Sequence, residues 1–328
     1  MIGLIGGEAA TLLLGTLGVL AVATVIVLLV SWRLRGEKHA ALTLNLRQRT
    51  GAWWIMIGIL AVGLALGETA LIVLFAALSF VGLREMVRLV PEARGDREVL
   101  VWLVLIGTLH WFFVWRHWYG MFAIFVPVYA FLFLPAVAAL RARVDGFLHR
   151  TAAVQWMLMV SVYALSHVPA ILQLTVAIEG GREAAEGSAP GTGGTASAAL
   201  LLWLVIVVQG SDVLQYVWGK TLGRHPIAPT VSPNKTWEGF LGGIASATAL
   251  GVALWWATPF APWQAGVLAF VSCVMGFLGG LVMSALKRDS GIKDFGTLIP
   301  GHGGIMDRFD SLVFAAPIFF HLTRFFFT

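Results

Sequence analysis

Polar residues along this chain are confined to short breaks between long apolar runs. Nearly uncharged stretches recur at approximately residues 9–31, 52–67, 69–83, 99–115, 118–140, 151–177, 198–218, 237–258, 263–286 and 309–327. A bilayer core about 30 Å thick takes roughly 20 apolar residues per helical crossing, so the pattern predicts an all-α polytopic membrane protein of about ten transmembrane helices, eight being the lower bound. The second and third runs are short and split only by Glu68. They read as one tight hairpin or as two tilted or partly re-entrant helices. The first run follows Glu8 rather than a basic segment and is too long for a signal-peptide core, so it reads as a retained helix.

Charge sorts the loops. One alternating set, which includes Arg33 to Arg49, Arg84 to Arg97, Arg141 to Arg150, Lys220 to Lys235 and Lys287 to Arg308, holds 19 of the 22 Lys and Arg residues; the other set holds only Arg116, Arg182 and Arg324. Cytoplasmic loops carry the basic excess. Both termini are therefore expected outside, with the two longest polar loops facing the cytoplasm of a bacterial inner membrane.

Composition agrees with the pattern. Charged residues make up 12% of the chain, against about 25% in ordinary soluble domains. A mean hydropathy of +0.85 excludes disorder. The net charge of +5 reads as a topology signal rather than as nucleic-acid binding. One cysteine, Cys273, leaves no disulfide framework or thiolate metal cluster. Residues 179–197 are rich in Gly, Ala and Ser and read as a flexible outer loop, not a phosphate loop, because the Lys-Ser/Thr ending is missing. That loop divides a transmembrane region at 1–178, read as scaffold or dimer surface, from a catalytic one at 198–328.

Two breaks, 212–243 and 284–310, are too rich in ionisable groups to pass as connectors, since such groups beside membrane spans are costly. In the second, Lys287, Arg288, Lys293 and Arg308 can neutralise phosphate oxygens, and Asp289, Asp294, Asp307 and Asp310 offer hard oxygen ligands of the kind magnesium takes. Asp307 and Asp310 are three apart, which puts both on one face of a helix. Pro300-Gly301-His302-Gly303-Gly304 is a turn whose backbone can approach an anion. The mixture suits metal-assisted nucleotidyl or phosphoryl transfer. A charged loop with internal ion pairs is the plainer reading. In the first break, Ser232, Lys235, Thr236 and Glu238 stand at a helix entrance, where the dipole favours anions, although Ser232 also fits as a cap. Asp212 ends an apolar run and has to be paired or metal-bound. His302 fits a phosphate donor, an acid or base, or a structural role, and His167 is the one histidine placed well inside a span.

The second break resembles the signature of the CDP-diacylglycerol synthase (phosphatidate cytidylyltransferase) family: Ser284, Lys287-Arg288, Lys293-Asp294, Gly296, Pro300, His302-Gly303-Gly304, Asp307-Arg308 and Asp310. The first resembles it in Ser232-Pro233, Lys235-Thr236, Glu238-Gly239 and Gly242-Gly243, preceded by Asp212 and Tyr216. The resemblance implies transfer of a cytidylyl group from CTP to phosphatidate with magnesium, or with a second cation besides. It also implies that Asp307 and Asp310, with Asp294 or Asp212, hold the metal. Lys287, Arg288, Lys293 and Lys235 would neutralise phosphates, and Ser232, Thr236, His302, Gly303, Gly304 and Arg308 would bind the substrates. A phosphate monoester is nucleophilic enough to need no strong base. Two positions depart from the family pattern: Gly280, where many bacterial members carry a metal-binding Asp, and Gln215, where a small residue is usual. The first takes away one metal contact that the resemblance implies, so that Asp212, Asp294, Asp307 or Asp310 would supply more of the coordination, and the second leaves open an acceptor related to phosphatidate. A CTP-dependent lipid-alcohol kinase and a transporter are the rival readings.

Overall fold

The structure is a computed structural model that describes residues 4–34, 39–90, 97–140, 144–176, 194–299, 301 and 303–328. Ten long helices run in the order α1 (Gly7–Arg33), α2 (Ala40–Leu66), α3 (Glu68–Val87), α4 (Arg97–Trp115), α5 (Tyr119–Ala139), α6 (Phe147–Gln173), α7 (Gly194–Leu222), α8 (Trp237–Ala253), α9 (Pro262–Asp289) and α11 (Leu312–Phe327), with a single turn, α10 (Met306–Phe309), before the last. Eight of these, α1 to α7 and α9, are long and apolar enough to cross a membrane. Helices α8 and α11 are shorter, at 17 and 16 residues. A two-stranded antiparallel hairpin, β1 (Pro226–Ala228) and β2 (Ser232–Thr236), links α7 to α8.

The ten apolar runs correspond to the ten helices, with one large shift of boundary. Helix α2 begins at Ala40, twelve residues before its apolar run. Its first turns, Ala-Ala-Leu-Thr-Leu-Asn-Leu-Arg-Gln-Arg, are mostly strong helix formers whose charges hide them from a hydropathy reading. Gly67, at φ +100°, is the whole link between α2 and α3, so the ambiguous second and third runs form a tight helical hairpin of 27 and 20 residues. Helix α5 widens into a π-turn at Phe125–Ala130, around Pro127, which lacks the N–H of a regular turn. Helix α6 does the same at Met159–Ala164.

Helix α7 is the axis of the C-terminal half and packs on α1, α8, α9 and α11. Its stretch from Leu200 to Leu204 is buried, and Trp203 donates from Nε1 to the Gly251 carbonyl at 3.1 Å. By contrast, α1 and α2 turn Leu14, Val19, Ile55 and Val62 outward, the surface that helices present to lipid. His167 lies in a buried polar string: its Nδ1 donates to the Tyr163 carbonyl at 2.8 Å, and its Nε2 shares a hydrogen with His321 Nε2 at 3.2 Å. A carbonyl only accepts, so neutral His167 carries its proton on Nδ1 and His321 donates to Nε2.

At one end of the bundle the first turns of α2 and α8 meet the last turns of α3, α7 and α9 and the segment 294–311. These are the ends that carry the basic set of loops.

Candidate active site

A cavity of about 410 Å³ opens at this end. Its walls are Asp212, Gln215 and Tyr216 of α7, Lys235 and Thr236 at the end of β2, Gly239 and Phe240 of α8, Phe277, Gly280 and Ser284 of α9, and Asp307, Arg308, Asp310 and Ser311 around α10. Arg49 and Trp53 of α2 close it. Glycine lets α7 and α8 cross this tightly. A Cβ on Gly243 would lie 2.6 Å from the Gln215 Cα, and one on Gly239 would lie 2.9 Å from the Gln215 carbonyl oxygen. Gln215 is thus the α7 contact at the crossing, and its amide donates to Ser211 Oγ at 2.8 Å.

Two carboxylates face each other across the cavity floor. Asp212 Oδ2 accepts the Ser311 hydroxyl at 2.6 Å, and Asp310 Oδ1 accepts the Ser311 N–H at 3.0 Å. Asp212 and Asp310 are close enough to repel, with Lys235 and Arg308 the nearby compensating cations. Lys235 Nζ packs on the Phe277 ring at 4.5 Å and donates to the Phe277 carbonyl at 3.4 Å. Burial pushes its pKa below the usual lysine value, against the pull of Asp212 and Asp310. A Cβ at Gly280 would stand 3.0 Å from this ammonium. Gly280, one of the two departures from the resembled pattern, thus leaves open the space beside the Lys235 ammonium.

Asp307 is differently placed, although it lines the same cavity. Its Oδ1 accepts the Lys287 ammonium at 2.9 Å, and its Oδ2 accepts the N–H groups of Phe295 and Gly304 at 2.8 and 2.9 Å. A buried carboxylate so surrounded is a knot that ties Phe295 and Gly304 to α9. A second buried carboxylate, Glu85 of α3, holds the chain just after Gly304, accepting Ile305 N–H on Oε1 and Met306 N–H on Oε2, both at 3.0 Å. Two signature glycines make room for it: a Cβ at Gly304 would lie 2.5 Å from Glu85 Oε2, and one at Gly296 would lie 2.6 Å from Oε1. Gly303 adopts φ +81°, and a Cβ there would meet Asp307 Oδ2 at 2.7 Å.

The remaining sequence candidates spread outward. Thr236 lines the cavity and caps α8, its hydroxyl accepting the Gly239 N–H at 3.2 Å. Ser232 sits at the start of β2, away from the cavity wall. Arg288 is exposed and donates from Nε to the Val231 carbonyl at 3.3 Å, bracing the hairpin against α9. Lys293 and Asp294 are exposed on the loop after α9. Pro300 and His302 lie outside the described residues. Arg308 is half-buried, and its Nε has no hydrogen-bond partner among the described residues. Burial lowers its pKa from the arginine value, Asp310 and Asp307 oppose the shift, and Arg49 adds to it.

Sequence reasoning missed Arg49, Trp53 and Glu85. Glu85 did carry a signal, being an ionisable residue at the end of an apolar run, but nothing local tells which distant loop it serves.

The chemistry on offer is that of a phosphate site: two carboxylates on the floor, an ammonium in the wall, a guanidinium whose Nε has no partner among the described residues, and signature glycines beside them. The model of the cytidylyltransferase family matches residues 47–326. The chain belongs to this family. It is therefore a nucleotidyltransferase built into a polytopic helical membrane fold. Among similar proteins, the uncharacterized protein YnbB of Escherichia coli K12 is 34% identical over 93% of this chain and 95% of its own length. The phosphatidate cytidylyltransferase of Mycobacterium leprae is 46% identical over 118 residues, which cover 35% of this chain and 37% of that protein. The phosphatidate cytidylyltransferase of Staphylococcus saprophyticus is 39% identical over 120 residues, 36% of this chain and 46% of that enzyme. The cytidylyltransferase described here thus matches YnbB nearly end to end and the two phosphatidate enzymes over about a third of its length.

Proposed function

We propose that this cytidylyltransferase transfers the cytidylyl group of CTP to phosphatidate, giving CDP-diacylglycerol and pyrophosphate. The observation that carries the reading is the Asp212–Asp310 pair on the floor of a cavity whose walls also hold Lys235 and Arg308. Among the described residues no three His, Cys, Asp or Glu side chains gather into a metal cage. Two carboxylates still suit magnesium, which binds through one or two of them together with substrate phosphates and water. Asp212 and Asp310 fit that donor set, and a bound magnesium would supply charge neutralisation at the α-phosphate and the departing pyrophosphate.

The chain's own residues then divide the work. Lys235 meets the polyphosphate beside the carboxylate pair. Thr236 and the first turn of α8 offer a hydroxyl and a helix dipole to an anion. Asp307, bonded to Lys287 and two N–H groups, ties Phe295 and Gly304 to α9 beside the cavity. An oxygen of the lipid phosphate forms the new bond to the α-phosphorus as the bond to the pyrophosphate oxygen breaks. The acceptor is already ionised, so no side chain need take its proton. The helix ends that carry the basic loops gather around the cavity, consistent with a site facing the cytoplasm, where CTP is found.

The test uses purified protein in detergent with phosphatidate, magnesium and CTP labelled at the α- or the γ-phosphate. Label entering the lipid fraction only from the α-position is the expected result. Label from the γ-position alone, with a lipid alcohol as acceptor, would replace this reading with that of a kinase.

A further inference from the structure

The most unusual cations of the site are two arginines from opposite ends of the chain. Arg308 lines the cavity with its Nε buried and unpartnered, and burying a guanidinium donor without an acceptor is costly. Arg49 lines the same cavity from α2, and neither arginine has an ion-pair partner among the described residues. The contact is built into the fold. Gly301, at φ +75°, lets its loop lie against α2, since a Cβ there would stand 3.3 Å from both Arg49 Cγ and Gln48 Cβ. Two like charges brought near each other in one cavity, neither held in an ion pair among the described residues, make an anion site, and arginine forks match phosphate oxygens two at a time.

The depth of this wall distinguishes one phosphate from another. Arg49 is the last charged residue of α2, and Thr50 to Leu66 are all uncharged. It therefore marks the boundary between water and hydrocarbon on that helix, the level at which a lipid phosphate sits. Trp53, one turn further in, lines the cavity on the apolar side, where it suits the glycerol and first acyl carbons of a lipid. Asp212, Asp310 and Lys235 line the same cavity from α7, the turn after α10 and the end of β2. We infer that Arg49 and Arg308 together form the subsite for the acceptor's phosphate monoester, with Trp53 beside the lipid backbone, so that α2 takes part in selecting the lipid. This rests on the cytidylyltransferase reading given above.

The experiment measures steady-state kinetics in mixed micelles, varying phosphatidate at saturating CTP and then CTP at saturating phosphatidate, for the wild-type enzyme, Arg49→Ala and Arg49→Lys. The expected result for Arg49→Ala is a rise of about tenfold or more in the KM for phosphatidate with the KM for CTP within about twofold of wild type. Arg49→Lys, a point charge without the fork, should fall between. A companion titration by native mass spectrometry, with phosphatidate or diacylglycerol and no CTP, should show Arg49→Ala losing its preference for phosphatidate. A rise in the KM for CTP instead would give the two arginines to the nucleotide, and unchanged constants with unchanged lipid preference would remove Arg49 from binding altogether. A wild-type enzyme that moves no α-label to phosphatidate would count against the cytidylyl reading itself. The binding titration would still judge the arginine site.

Discussion

Four buried or half-buried carboxylates gather at one end of this enzyme, and they fall into two unlike pairs. Glu85 and Asp307 are the more fully bonded: between them they accept four backbone N–H groups and the Lys287 ammonium. Among the described residues Asp212 and Asp310 accept only the hydroxyl and N–H of Ser311, and both line the cavity. The first pair fastens the signature loop; the second is available to a ligand. Burial and charge alone would rank the four together. What separates them is how many donors each already has.

The largest effect that would break this contrast concerns the open pair. Asp212→Asn and Asp310→Asn should each cost about 10²–10³-fold in turnover, with the melting temperature held or raised because a mutual repulsion is relieved. Near-wild-type transfer of α-label in either variant would end its assignment to metal or phosphate. For the more fully bonded pair the order reverses, and stability should go first. Lys287→Ala leaves Asp307 buried without its cation and should cost about 3–5 kcal/mol, read from thermal unfolding in detergent. Glu85→Ala leaves two N–H groups unpaired, at about 1–3 kcal/mol each, and should loosen hydrogen exchange at Ile305 and Met306. Gly304→Ala should be nearly as harmful on its own but much less so on top of Glu85→Ala, since the carboxylate it would strike is then gone; strictly additive losses would show that the glycine serves some other purpose. Arg288→Ala should matter least, within about 0.5 kcal/mol of stability, because it touches only an exposed carbonyl. A loss of activity larger than that of Lys287→Ala would move Arg288 into the site.

Hydropathy alone located every long helix, because uncharged runs of bilayer length admit no other structure in lipid. It misjudged the start of α2, where helix formers carry charge, and could not see the π-turns, which change hydrogen bonding without changing polarity. At the site, the spacing of Asp307 and Asp310 put both on the cavity wall. Spacing could not show that one is already filled, since its donors come from the backbone of Phe295 and Gly304. What Glu85 and Arg49 serve was illegible for a plainer reason. Glu85 acts on a loop 220 residues away, and only the packing of α3 against that loop connects the two.

The position of Gly304 against Glu85 has one more consequence, for how activity is judged across relatives. Because the glycine is small to admit a side chain from another part of the chain, the signature records only half of a lock. A homologue retaining every signature residue but lacking an acid on its third helix would match on its motif while leaving two backbone N–H groups beside its glycines without their acceptor. The pairing of that acid with those glycines therefore reports on how firmly the loop is held, which the motif alone does not record.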